Sequence, residues 1–216
     1  MLYQIMCRTF LCLLAIGFIM ISGCARTPQA RFYILQPSAI DQAQPSVSVK
    51  DMIIGVGPVE LPEHLDRPQI VTRIDSSELY LSEFNRWAES LEKNFTNVLA
   101  ENLSQLLSTD QVLVYPWIGN LEVKRQVRVN VLQFDSKPGG EVLLKVLWGL
   151  KDENDKFLFS IKKSSFSAPA GKGYPEMVEA MNRVLGDFSR EIANEIIKND
   201  AEYNNLLDKI LFYLKA

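Results

Sequence analysis

The 216-residue sequence predicts an α+β fold in which two long amphipathic helices pack on one face of a mostly antiparallel sheet. A short helix is expected at the C-terminus. Three observations predict this single domain: strand-like segments lie on both sides of a helical segment, two long segments repeat apolar residues every three or four positions, and three alternating segments are joined by short turns. Hydrophobic residues make up 47% of the chain and charged residues 23%, as in ordinary globular proteins.

Four strands are predicted before the first helix. Residues 31–35 form a compact apolar and aromatic run, and residues 47–59 alternate loosely until proline and glycine interrupt them. Residues 69–74 and 78–82 are short apolar segments with the same strand-like composition. These segments place a group of strands at the beginning of the folded domain.

The first helix is predicted at residues 86–107, because apolar residues recur there at spacings of three and four. Charged and polar side chains occupy the opposite face of this segment, so the apolar stripe is expected to face the core. A groove for a partner is the alternative role for the stripe. Its members are Leu91, Phe95, Val98, Leu99, Leu103, Leu106 and Leu107.

Strand-like sequence resumes after this helix, at residues 112–117, 123–134, 142–150 and 157–161. The last three segments alternate apolar and polar residues or are continuously apolar, and short polar turns separate them. Connections of this length join only antiparallel neighbours, so these three segments are predicted to form an antiparallel meander.

A second amphipathic helix is predicted at residues 175–198, followed by a separate apolar stripe in residues 200–216. This second stripe predicts the short C-terminal helix. It is expected either to cover the sheet or to contact another copy or a partner, and residues 32–199 are taken as the main domain.

The N-terminal 24 residues have the pattern of a secretory signal. A single positive charge, Arg8, precedes an apolar stretch at residues 10–21 that is too short to span a bilayer as a helix. The stretch ends in Ile21-Ser22-Gly23-Cys24, which resembles a bacterial lipobox. The resemblance implies that residues 1–23 are a signal peptide, that cleavage falls between Gly23 and Cys24, and that Cys24 is lipidated. An ordinary signal peptide ending in cysteine and an uncleaved anchor helix are the alternatives.

Lipidation at Cys24 has several consequences for the mature chain. Residues 24–31 would be a short lipidated tether, and the other two cysteines would leave with the signal peptide, so no free thiol would remain for catalysis. Ala25, directly after the lipid site, favours sorting to the outer membrane under the enteric rule. The net charge of the whole chain, −3, offers no general attraction for nucleic acid.

The sequence does not predict a catalytic centre, a metal site or a cofactor site. His64 is the only histidine, and it lies in a polar, proline-flanked loop where a surface position is expected. Gly171-Lys172-Gly173 lacks the spacing of a nucleotide-binding loop. Paired carboxylates occur in turns, where solvated charge is expected. The sequence therefore favours a protein that is not an enzyme.

Several motifs in residues 31–91 resemble the PqiC/YmbA family of ABC-type transport auxiliary lipoproteins. They are an aromatic strand shortly after the lipid site, a Val-Pro-x-x-Leu-x-Arg-like element, an Ile-Val-x-Arg strand and an Arg-Trp-Ala-Glu segment opening a long helix. In this sequence they stand at 32–35, 59–67, 70–73 and 86–89. The order of later elements also resembles the family, and residues from about 200 extend beyond its core.

The resemblance implies a docking role in transport between the two membranes of a Gram-negative bacterium. Such lipoproteins accompany MCE-domain periplasmic proteins and membrane permeases, and this chain would lie on the periplasmic face of the outer membrane. Arg67, Arg73, Arg86 and Trp87 are the candidate partner-interface residues, because arginine and tryptophan are favoured as interface anchors. A structural role is the alternative for each, with Trp87 in the core and Arg86 paired to Glu83 or Glu89.

Two other function classes stay open at this point. The chain could be a structural or assembly lipoprotein of the envelope without a link to transport. It could instead carry a lipid in its own cavity, which would require an apolar pocket of about 300–1,000 Å³ between sheet and helices. Self-association is a further open alternative.

Overall fold

The structure is a computed structural model that describes residues 28–38, 52–117, 119, 121–137 and 139–215, together with Gln4 and Met6. The lipobox and the predicted strand residues 47–51 lie outside the described residues. The strands and helices are β1 (Arg31–Tyr33), β2 (Ile54–Glu60), β3 (Gln69–Arg73), β4 (Leu79–Trp87), α1 (Leu91–Leu107), β5 (Val112–Val114), β6 (Arg125–Ser136), β7 (Glu141–Asp152), β8 (Lys162–Pro169) and α2 (Tyr174–Lys215).

The described strands form two sheets. The small sheet has the order β1-β4-β3, with β1 parallel and β3 antiparallel to β4. The large sheet has the order β5-β2-β6-β7-β8, in which β2 is parallel to both its neighbours and β6, β7 and β8 form an antiparallel meander. The α+β class is confirmed, but the expected single sheet is divided and part of its pairing is parallel. The parallel pairing of β2 and β6 is possible because β3, β4, α1 and β5 supply the crossover that parallel neighbours require.

The third strand of the meander differs from the prediction at residues 157–161. The pairing strand is β8, whose lysine- and serine-rich sequence runs alongside β7 from Lys162 to Pro169. Residues 157–161 form a connection that packs over Gly149, where an added Cβ would approach the Phe157 ring to 2.7 Å. Apart from one isolated antiparallel bridge between Phe157 and Lys151, their apolar alternation therefore reflects side-chain packing on β7 and not strand pairing.

Helix α1 begins at Leu91 and not at Arg86 as predicted. Arg86 and Trp87 end β4 instead, where they pair with Phe32 and Tyr33 of β1. The Ser90 side chain accepts a hydrogen bond from the backbone N–H of Lys93 at 3.4 Å and thereby caps the first turn. The predicted helical pairing of Arg86 with Glu89 is consequently absent, because these two residues do not share a helix.

Helix α2 is continuous over 42 residues, so the predicted short C-terminal helix is the end of α2 and not a separate element. No glycine or proline lies between Gly186 and Lys215 to interrupt it. A helix of this length extends about 63 Å. Near the end of the sheet, the guanidinium of Arg125 lies 6.0 Å from the centre of the Tyr203 ring.

Both helices pack on the same face of the large sheet. The Phe95 ring of α1 meets the Phe134 ring of β6 edge to face at 5.4 Å, and the Phe188 ring of α2 meets the Trp148 ring of β7 at 5.9 Å. Phe134 pairs across the sheet with Leu144, which is also fully buried, so these contacts belong to one core. This filled layer confirms the prediction that the apolar stripes of α1 and of residues 177–196 in α2 face inward.

Three asparagines hold the chain that follows β1 against the two helices. The Oδ1 atoms of Asn94 and Asn102 in α1 accept the backbone N–H groups of Leu35 and Ser38, at 2.6 and 3.1 Å. Asn182 in α2 accepts the N–H of Gln36 at 3.1 Å. The domain is therefore joined rigidly to the first residues after the predicted tether, which matters for any function that acts through the N-terminus.

Candidate functional site

The four residues that the sequence singled out lie on or beside the small sheet, with Arg67, Arg86 and Trp87 at one end and Arg73 at the other. Arg67 belongs to the turn between β2 and β3, Arg73 ends β3, and Arg86 and Trp87 end β4. Gln69 at the start of β3 pairs with Arg86, and the backbone N–H of Trp87 donates to the carbonyl of Pro68 at 2.7 Å. The fold thus brings together residues that are up to twenty positions apart in the sequence.

Trp87 points into the protein. Its side chain is only 5% exposed and belongs to the hydrophobic core, and its strand neighbour Tyr33 packs against the same core. The Tyr33 ring lies 6.2 Å from the Tyr174 ring at the start of α2. Trp87 therefore offers almost no surface to a partner, in agreement with the structural alternative for this residue.

Arg73 connects the two sheets. Its Nη2 and Nε atoms donate to Oδ2 of Asp135 in β6 at 2.7 and 3.2 Å, and the Asp135 carboxylate is 2% exposed. The hydrogen bond to Asp135 raises the pKa of Arg73, so the guanidinium stays charged. Gln133 also donates to Asp135, at 2.8 Å. The sequence did not point to Asp135; its one signal is a carboxylate directly after the buried Phe134 at the end of a strand.

Arg67 and Arg86 differ from Arg73 because neither forms an ion pair with any residue in the described part of the chain. Both side chains are half-buried, and both Nε atoms are shielded from solvent without a hydrogen-bond partner among the described residues. His64 lies in the same turn as Arg67 and has a similarly unpartnered Nε2 atom, so this histidine is half-buried and not simply on the surface. The Nε–H groups of Arg67 and Arg86 are therefore hydrogen-bond donors without an acceptor in the described part of the chain.

Acidic side chains surround the same turn. Burial raises the pKa of Glu92, in the first turn of α1, and repulsion from the Asp66 and Glu60 carboxylates raises it further. The unpartnered guanidinium of Arg67 therefore lies on a turn that also carries negative charge. A partner that contacts this turn would meet both signs of charge within a small area.

Cys24 and the predicted cleavage position at Gly23 lie outside the described residues. The described chain resumes at residues 28–30, which precede β1 and are exposed. Among the described residues, no helix is long and apolar enough to cross a membrane.

The described residues contain no group of three or more histidine, cysteine, aspartate or glutamate side chains that could hold a metal ion. The carboxylates of the 152–155 turn have structural partners: backbone hydrogen bonds, chiefly from the N–H of Lys156, lower the pKa of Asp152. Lys151 donates to Asp155 at 2.5 Å.

A groove and a small cavity are relevant to the hypothesis that the domain itself carries a lipid. An open groove of about 470 Å³ lies at one end of the large sheet and is lined mainly by polar side chains, including Lys124, Gln126 and Glu153. At the edge of the layer between sheet and helices, a cavity of about 30 Å³ lies between Thr72 and Met177. The second is far smaller than an acyl chain needs, so the described core does not favour a lipid carrier.

Comparisons with known proteins agree with this architecture. Residues 33–193 match the family of ABC-type transport auxiliary lipoprotein components. The chain is 23% identical over 184 residues to the intermembrane transport lipoprotein PqiC of Escherichia coli K12, a match that covers 85% of this chain and 96% of that protein.

Solved structures show the same fold. A crystal structure of an uncharacterized protein matches with a TM-score of 0.65 and 20% identity, covering 78% of this chain and 99% of that one. A Xanthomonas campestris protein matches with a TM-score of 0.63 and 12% identity, covering 81% and 99%. Because the family match spans well over half of the 216 residues, the chain belongs to the family of ABC-type transport auxiliary lipoprotein components.

Proposed function

We propose that this protein is a periplasmic lipoprotein, anchored in the outer membrane through Cys24, that serves as a non-catalytic component of an MCE/ABC-type system for intermembrane phospholipid transport. Its role in that system would be to dock the MCE-domain protein, with the permease as the further partner. The observation that carries the proposal is the family match, which begins nine residues after the lipobox cysteine. A lipid site, a short tether and a folded auxiliary domain therefore follow one another directly.

The arginines on and beside the small sheet support a role in binding a partner more than a role in catalysis. Arg73 is committed to Asp135 and Trp87 is committed to the core, so both support the scaffold. Arg67 lies on a turn and has a guanidinium without an ion-pair partner among the described residues. We assign Arg67 to the partner interface, since arginine is among the residues that contribute most when an interface desolvates them.

Lipid anchoring is tested by replacing Cys24 with serine. We expect the wild-type chain to incorporate an alkyne-palmitate label and to fractionate with the outer membrane, and we expect the Cys24→Ser variant to lose both the label and the membrane association, because the thiol accepts the lipid. A Cys12→Ser variant serves as the matched control and should behave like the wild type. Label retained on Cys24→Ser would contradict the assignment of the lipid site.

Partner docking is tested by crosslinking the full lipidated chain in membranes, purifying it and identifying the proteins recovered with it. We expect an MCE-domain protein with the wild type and at least about tenfold less of it with Arg67→Ala, as for a hot-spot arginine. Arg190→Ala is the control, because Arg190 pairs with Asp187 on the exposed side of α2. Recovery of envelope-assembly proteins without an MCE-domain protein would instead favour a structural role and reject the transport proposal.

A further inference from the structure

The outward side of the small sheet exposes large apolar side chains. Phe32 is 65% exposed, Ile34 41% and Phe84 39%, although each belongs to or adjoins a strand. The alternate residues of the same segment, Tyr33 and Leu35, point toward the core. Apolar residues therefore occupy both sides of this short segment. Burial in the domain accounts for the apolar residues on the inner side only.

The register of the strands places Phe32 beside Arg86 on one surface. Phe32 pairs with Arg86, and paired residues project from the same face of a sheet. Phe84 lies two positions before Arg86 on β4 and is also exposed, in a stretch where the register with β3 shifts, while Trp87 projects inward. We call the exposed surface at β1 and the end of β4 the apolar face; it comprises Phe32, Ile34 and Phe84 beside the half-buried Arg86.

This combination suits the boundary between lipid and water. Phenylalanine and aliphatic side chains that lie on a surface with basic groups enter the boundary between lipid headgroups and acyl chains, and arginine can direct its donors to lipid phosphate while its stem stays in apolar surroundings. Among the described residues, Arg86 forms no ion pair and its Nε atom has no hydrogen-bond partner. A phosphate group would supply the acceptor that the described chain does not.

The position of the predicted lipid site indicates that the lipid bilayer contacts the apolar face. Phe32 follows Cys24 by eight positions, and a chain of that length spans at most about 29 Å when fully extended. Two of the residues between them, Arg26 and Arg31, are basic and would be attracted to anionic headgroups. The backbone N–H groups of residues 35 and 38 donate to Asn94 and Asn102 and hold the chain after β1 on the domain, so the domain surface beside β1 must stay near the membrane.

We propose that the apolar face of the small sheet lies on the bilayer surface, with Phe32, Ile34 and Phe84 entering the headgroup region and Arg86 binding lipid phosphate. The proposal rests on the lipidation of Cys24 proposed above, and it assigns Arg86 to lipid instead of the protein partner. It adds a second membrane contact to the anchor and fixes the orientation of the domain. Because the domain then does not rotate freely on its tether, the turn that carries Arg67 faces the periplasmic partner in a fixed orientation.

The test uses the full lipidated chain in vesicles of phosphatidylethanolamine and phosphatidylglycerol. The mature chain would contain no free thiol, so Phe32→Cys, Ile34→Cys and Phe84→Cys variants can each carry one environment-sensitive fluorophore. Phe157→Cys is the matched control, because Phe157 is similarly exposed, at 44%, but lies on the connection before β8. Quenching by lipid-borne nitroxide and by aqueous iodide is measured at each position.

We expect nitroxide to quench the fluorophore at positions 32 and 84 at least about twofold more than at 157, and iodide to show the opposite order. Equal quenching at 32 and 157 would overturn the proposal, as would exclusion of both quenchers from position 32, which would show that protein covers the apolar face. Mass spectrometry of the N-terminal peptide separates the two ideas: a lipidated chain without nitroxide quenching rejects only the membrane-facing surface, whereas an unlipidated chain rejects the anchor and this proposal with it.

Discussion

Replacing Arg73 with methionine is expected to lower the free energy of unfolding by about 3 kcal/mol, because it leaves the Asp135 carboxylate buried without its cation. Asp135 is 2% exposed, so water cannot replace the two hydrogen bonds that Arg73 donates to Oδ2. Urea denaturation followed by circular dichroism measures the change. The effect would show that this arginine stabilises the junction between the two sheets.

Lys124→Met is the control for this experiment. Lys124 donates to Glu153 at 2.6 Å, but both side chains are exposed, so water screens the pair and its loss is expected to change the free energy of unfolding little. A double variant, Arg73→Met with Asp135→Leu, should be more stable than Arg73→Met alone, because it removes the unpaired charge. Equal losses for Arg73→Met and Lys124→Met would show that the junction does not depend on this ion pair.

Replacing Trp87 with alanine is expected to lower the free energy of unfolding by about 3–5 kcal/mol, since it removes a large buried side chain and leaves a cavity. Trp87→Phe should cost considerably less because it retains most of the apolar contact. Phe32→Ala is the control: it removes an aromatic side chain from the adjacent strand, but that side chain is 65% exposed, so a change within about 0.5 kcal/mol is expected.

The same variant separates the two roles considered for Trp87. A core residue loses stability on truncation, whereas an interface residue loses partner recovery while the fold persists. If Trp87→Ala unfolds at the wild-type urea concentration and recovers less MCE-domain protein, the interface hypothesis from the sequence would be correct and the core assignment would be wrong.

Periodicity predicted the interior of the elements better than their ends. The stripe from Leu91 to Leu107 identified α1 because residues three and four apart share a helical face, and that face is buried. Its start was placed five residues too early, since Arg86 and Trp87 join a sheet whose other strands come from distant segments. The polar strand β8 was missed for a related reason: an edge strand with one solvent-facing side needs few apolar residues, and its pairing with β7 supplies the rest.

The two amphipathic helices, the α+β class and the family depend on local patterns or on the order of segments, so the sequence by itself determined them. The lipobox at residues 21–24 stays a prediction. The fate of each candidate side chain was decided only by the tertiary structure. Arg73 meets a carboxylate 62 residues away, Trp87 is buried, and Arg67 keeps an unpartnered donor among the described residues. The reason is physical: exposure and ion pairing depend on which distant segments pack against a residue, and residue type and spacing do not carry that information.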